Sequence, residues 1–134
     1  MPVKRKTQKV TQCFHSGHKG VDLRSVDFTT WRLQKIIATE DMTVLRMGRD
    51  KYGNGFVVCK PDNIICDEIK YIHIKADPTI HIHRILKQGQ LIGYTEIAGN
   101  SKAHHLHFET WSEGHPFNPL RYFDNVGIKY KEEL

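Results

Sequence analysis

The chain is poor in cysteine: Cys13, Cys59 and Cys66 are the only three in 134 residues. An odd number cannot pair completely within one chain and no CxxC occurs, so reduced structural thiols are expected ahead of metal or redox roles. Long apolar runs are also missing. The longest, such as Phe56-Val57-Val58-Cys59, fall far short of the ~20 residues that span a bilayer. The opening Met1-Pro2-Val3-Lys4-Arg5-Lys6 is basic with no apolar stretch behind it and does not read as a secretory signal. No internal repeat, low-complexity tract or linker interrupts the chain. With 39% hydrophobic and 26% charged residues, the composition is that of a folded domain, not a collagen-like or disordered chain. Residues 1–134 make one domain, long enough to bury a core without a covalent staple.

Histidine is what the sequence has in excess, with nine residues. His104, His105 and His107 crowd together, and His81 and His83 form a second pair. Clustered imidazoles point to metal binding, pH sensing or acid–base work. The net charge of +5 favours an anionic partner, such as a wall polymer or nucleic acid, without choosing between them.

The pattern predicts short strands punctuated by turns. Residues 1–12 read as a flexible basic arm or a first edge strand. Ile36-Ile37-Ala38, Met42 to Met47, Phe56 to Cys59, Ile64-Ile65-Cys66 and Ile69 to Ile74 read as strands. So do the period-two run Ile80-His81-Ile82-His83-Arg84-Ile85 and the alternating His105 to Trp111. Tyr52-Gly53-Asn54-Gly55 is a turn, because Asn and Gly tolerate positive φ. Gly99 to Lys102 reads as loop. Helix is expected only as one short turn after Pro119 and at most around Thr30–Lys35. The expected class is mostly β, a single domain on an antiparallel sheet.

Three groups carry chemistry. In His105-Leu106-His107, period two puts both imidazoles on one face, with Cα atoms roughly 6.5–7 Å apart. Glu109 follows on that face, while Leu106 and Phe108 turn into the core. In His18-Lys19-Gly20-Val21-Asp22, the central glycine permits a bend that lets His18 and Asp22 converge, and both are good zinc ligands. His73, next to Ile72 and Ile74 on a strand, faces the side of the sheet where a groove can form. Taken alone, His105 and His107 fit solvated surface histidines as well as a site, and His18 with Asp22, and His73, each fit ordinary loop or strand polar residues better.

In combination and in order, these motifs resemble the LytM/lysostaphin-type zinc metallopeptidases. The resemblance rests on His18-Lys19-Gly20-Val21-Asp22, Tyr71-Ile72-His73, Gly89-Gln90-Leu91-Ile92-Gly93 and His105-Leu106-His107-Phe108-Glu109. Tyr52-Gly53-Asn54-Gly55 and Asn118-Pro119-Leu120 add to it, and it runs from about Phe14 to Phe123. It implies a loop-lined groove and one Zn2+ per chain, held by His18, Asp22 and His107 with an open position for water. It also implies catalytic roles for His105, as general base, and His73, as stabiliser of the oxyanion. Glu109 would orient a ligand histidine through its other ring nitrogen. The implied substrate is the peptide stem or cross-bridge of bacterial peptidoglycan, with no nucleic acid and no membrane span. A lytic domain without an export signal suits a bacteriophage endolysin or virion component. Two departures stand out: His104 replaces a usual proline, and Met42 replaces the glycine of an Asp-Gly turn. The alternatives are an inactive wall-binding or regulatory domain of the same fold, and a basic nucleic-acid-binding module. His81 and His83 are expected on a solvated face, His115 at the substrate rim, and Trp31 and Trp111 in packing.

Overall fold

The computed structural model describes residues 7–25, 33–63, 65–97 and 104–132. In chain order the elements are β1 (Thr7–Gln12), β2 (Val21–Ser25), β3 (Lys35–Ile37), β4 (Met42–Arg49), β5 (Gly55–Pro61) and β6 (Glu68–Ile72). They continue with β7 (Ile74–Ala76), β8 (Ile85–Leu86), β9 (Leu91–Thr95), β10 (Leu106–Ser112), β11 (His115–Phe117), α1 (Pro119–Val126) and β12 (Lys129–Glu132). The large sheet runs β12-β1-β2-β10-β6-β5-β4-β8, with β11 folded back on β10, and β3-β9-β7 form a small second sheet. The described ladders are antiparallel apart from the parallel β1–β12 pair. The mostly β, antiparallel class expected from the sequence is the one observed.

Alternation explains how the large sheet divides core from groove. Val21 and Leu23 of β2, Tyr71 of β6, and Leu106 and Phe108 of β10 are fully buried. The residues between them, Asp22, Ile72 and His107, point to the opposite side, where they line a groove. Phe108 is the hub of the core, with ring centroids 5.4 Å from Tyr71 and 5.3 Å from Phe123. Burying such a side chain contributes about 1.5–3 kcal/mol. Phe123 comes from α1, which Asn118 caps by accepting from the Leu120 N–H and which Gly127 ends in a left-handed conformation. The helix thereby braces the back of the strand that carries His107.

Two glycines allow close approach. A Cβ at Gly20 would overlap the Phe108 carbonyl and the Glu109 side chain, and one at Gly55 would overlap the Ile74 carbonyl. Gly20 is not among the residues with positive φ. Its role is thus to let the His18 loop lie against β10, not to make the sharp bend expected from the sequence.

Several expected elements differ. Thr7–Gln12 is an inner strand between β12 and β2, not an arm or an edge; residues 1–6 lie outside the described residues. His73 does not sit within a strand but at a corner between β6 and β7, with φ of 68°. Such a conformation in a non-glycine residue costs about 1–3 kcal/mol and persists only where the surroundings enforce it. Here the His73 N–H donates to the Gly55 carbonyl and the His73 carbonyl accepts from the Glu96 N–H. Ile80–Ile85 is largely a turn instead of an alternating strand. His83 has φ of 74°, the His83 N–H donates to Val44, and both Ile82 and Ile85 are exposed. Ile65 and Cys66 form a loop, because the Asn63 side-chain oxygen takes both of their backbone N–H groups. Met42 opens β4, buried and without positive φ, so no turn occurs at that point. Leu33 and Gln34 are not helical and Lys35 begins β3, while residues 30–32 and the expected loop at 99–102 are outside the described residues. The cysteines are unpaired as expected, and burial pushes the Cys59 thiol up to about 12.

Gly20→Ala is expected to destabilise the fold by about 1–3 kcal/mol, because the strand carbonyl it meets cannot move aside. Denaturant titration checks this; an unchanged midpoint would contradict the close-approach reading.

Candidate metal centre and groove

The ladder between β2 and β10 sets Asp22 opposite His107. Both are on the polar face, so the register itself brings a carboxylate to an imidazole. His18 arrives from the preceding loop, where reciprocal backbone hydrogen bonds between His15 and His18 close a tight turn. Asp22 Oδ1 is the meeting point, 2.9 Å from His107 Nδ1, 3.3 Å from His18 Nε2 and 3.8 Å from His105 Nε2. One donor atom each from His18, Asp22 and His107 lies within 4.8 Å of the others.

The outer bonds fix which ring nitrogens face inward. His18 Nδ1 lies 2.9 Å from the Cys13 carbonyl, which can only accept, so Nδ1 donates to it and Nε2 is the nitrogen turned toward Asp22. His107 Nε2 lies 2.8 Å from Glu109 Oε2, which leaves Nδ1 to face Asp22. Two inward-facing imidazole nitrogens, which offer lone pairs once unprotonated, and one carboxylate oxygen fit a divalent ion such as zinc. Hydrogen bonding of the outer nitrogens is the usual support for such ligands.

The His107 ring is hydrogen-bonded to carboxylates through both nitrogens. Burial favours neutral His107, but its hydrogen bonds to Asp22 and Glu109 outweigh this and raise it to about 9. Burial opposes ionisation of Asp22, yet the His107 hydrogen bond and the nearby imidazoles keep its carboxyl below the usual range. Glu109 is lowered in the same way: burial is overcome by hydrogen bonds from His107 and Trp111. His107 therefore adds stability below its ordinary value of 6.5, and this is lost as pH rises through about 9. Asp22 and Glu109 add stability above their ordinary 3.8 and 4.5, and this is lost as pH falls.

His73 and His105 stand beside the cluster, their ring centroids 4.8 Å apart. Burial, helped by the neighbouring His105 and His107, lowers His73 to about 4 against the pull of Asp22 and Asp50, so it is neutral at pH 7. All five predicted site residues, with Glu109, line one groove of about 1050 Å³. Its far wall is the β4–β5 hairpin end, with Asp50, Tyr52 and Asn54. Asp50 shapes that end by accepting from the Tyr52 and Asn54 backbone N–H groups, and an Arg49–Glu96 ion pair of 2.6 Å holds it down. The Tyr52-Gly53-Asn54-Gly55 turn was legible in the sequence, but its place over the groove was not. His81, His83 and His115 are outside the groove walls, so His115 does not form the expected rim. His104 turns toward β9, with Nδ1 3.2 Å from Thr95 Oγ1.

The model of peptidase family M23 matches residues 16–119. The chain belongs to peptidase family M23. Similar solved structures include Csd3 of Helicobacter pylori, at 27% identity, covering 91% of this chain and 32% of that one with a TM-score of 0.69. The catalytic domain of the antimicrobial peptidase lysostaphin from Staphylococcus simulans matches at 21% identity, 88% and 89% coverage and a TM-score of 0.65. A zinc-containing peptidase from Vibrio cholerae matches at 18% identity, 87% and 35% coverage and a TM-score of 0.61. This M23 chain spans about a third of the Vibrio and Helicobacter chains and most of the lysostaphin domain.

Zinc binding to this M23 chain is expected to displace the His107 proton. Titration at pH 7 in buffers of different ionisation enthalpy should report release of about one proton, and affinity should rise about tenfold per pH unit below 9. Affinity independent of pH would contradict the protonated, Asp22-facing state of His107.

Proposed function

We propose that the chain is a zinc-dependent endopeptidase that hydrolyses peptide bonds in bacterial peptidoglycan cross-links. The observation that carries this reading is the convergence of His18 Nε2, Asp22 Oδ1 and His107 Nδ1 beside the His73–His105 ring pair in one open groove. His18, Asp22 and His107 are the proposed ligands of one ion per chain. When bound, zinc supplies Lewis-acid activation of water and of the scissile carbonyl.

The other residues supply positioning and proton transfer. His105 takes a proton from the attacking water at Nε2, the nitrogen that faces the Asp22 carboxylate. His73 is neutral at working pH, so it offers a ring N–H to the oxygen on which charge develops. Its corner conformation sets the ring beside His105 instead of along the strand face. Glu109 holds His107 in the tautomer whose Nδ1 faces inward. The groove is open and polar, which suits an extended peptide. Membership of a peptidase family and the fold shared with the antimicrobial peptidase lysostaphin support the same substrate class. The activity suits a phage lysin, whether released into the host wall or carried on the virion. The net positive charge supports adsorption to anionic wall polymers.

Purified peptidoglycans of several cross-link types should release new peptides, identified by mass spectrometry, and a chelator should abolish release. His105→Ala and His73→Ala should each lower the rate about 10²–10⁴-fold while zinc content stays unchanged. Wild-type cleavage by His105→Ala would overturn the assignment, and a zinc-loaded but inert protein would support a wall-binding domain instead. Raising salt should weaken activity on intact walls more than on a small soluble peptide; equal salt profiles would remove charge from the account.

A further inference from the structure

We propose that Trp111 is a positioning residue for the metal ligand His107, acting through Glu109. The inference rests on the metal centre proposed above and extends it one residue further along β10.

Residues 107, 109 and 111 alternate onto the same face of β10. Two hydrogen bonds join them in a row. His107 Nε2 donates to Glu109 Oε2 at 2.8 Å, and Trp111 Nε1 donates to Glu109 Oε1 at 2.7 Å. The bonds use different oxygens, so the indole does not compete with the imidazole. It fixes the plane of the carboxylate, and the carboxylate in turn fixes the ring. A glutamate has enough rotatable bonds to swing away from a histidine two residues off. With its second oxygen bound to a rigid indole, it cannot do so without breaking two bonds. Glu109 is only 7% exposed, so loss of the indole N–H would leave a buried charged oxygen without that donor.

The indole is itself held from two other elements. Lys70 of β6, the cross-strand partner of Glu109, places Nζ 4.0 Å from the Trp111 ring centroid. Lys19, adjacent to the ligand His18, places Nζ 5.8 Å from it. Ammonium groups at these distances are attracted to an indole. The His18 loop, β6 and β10 therefore meet at one side chain outside the ligand set. Packing alone does not choose the acceptor, and here the indole N–H goes to the carboxylate that holds His107. The sequence expectation of packing thus accounts for the ring of Trp111 but not for its N–H.

Two measurements test this. Zinc affinity by competition with a chromogenic chelator should fall about tenfold in Trp111→Phe, which keeps the ring and removes the donor. Metal-free unfolding curves of both proteins show whether the variant is folded. In the unaltered chain, the Trp111 indole N–H resonance should move when zinc is added, and in His107→Ala it should stay in place. Trp31 is the only other tryptophan, so Trp31→Phe assigns the signal. Unchanged affinity in a folded Trp111→Phe, or a resonance indifferent to bound zinc, would overturn the proposal while leaving the metal centre intact. The resonance requires no change at Trp111, so it decides even if Trp111→Phe does not fold. Failure of the unaltered chain to bind zinc would overturn both readings.

Discussion

The site depends on one cross-strand register. Asp22 on β2 lies opposite His107 on β10, and both side chains point away from the core. A slip of one residue would turn Asp22 and His107 inward and expose Val21, Leu23, Leu106 or Phe108. The hydrophobic core therefore enforces the polar geometry. Its fully buried members on these strands fix the pleat, and the pleat aims the donors at one another. The same alternation carries the groove face onward to Glu109 and Trp111.

Around that pair, structure is arranged at some cost. His73 is held in a left-handed conformation by the Gly55 carbonyl and the Glu96 N–H, and Gly55 must be glycine because the Ile74 carbonyl lies against it. Glu96 in turn pairs with Arg49 at the hairpin end that walls the groove. The His73 corner and the hairpin are thus tied to one another, which keeps the His73–His105 ring pair in place beside Asp22 and His107. Gly20 performs a similar service for the His18 loop, by allowing it to touch the backbone of β10.

Much of this was legible in the residues. The alternation of His105 to Trp111 gave the strand, its buried face and the shared face of His105, His107 and Glu109. The ordered motifs gave all the proposed site residues, and the structure brings them into one groove. What could not be read has local causes. Tyr71-Ile72-His73-Ile74 alternates like a strand, and nothing in it announces a corner imposed from Gly55 and Glu96. Ile80 to Ile85 has perfect period two, yet hydrogen bonds from a distant strand bend it into a turn. The β1–β12 pairing joins the two ends of the described chain, and contacts at such separation leave no periodic trace. The link from Trp111 to Glu109 had a signal in their spacing of two on one face, but packing was the simpler reading.

The central claim is that His18, Asp22 and His107 close around a single ion. Crystals grown with zinc, with data collected on both sides of the zinc absorption edge, test it most directly. The account predicts one strong anomalous peak per chain, bounded by His18 Nε2, a carboxylate oxygen of Asp22 and His107 Nδ1. A peak elsewhere, or ligation through His107 Nε2 with Glu109 displaced, would contradict it.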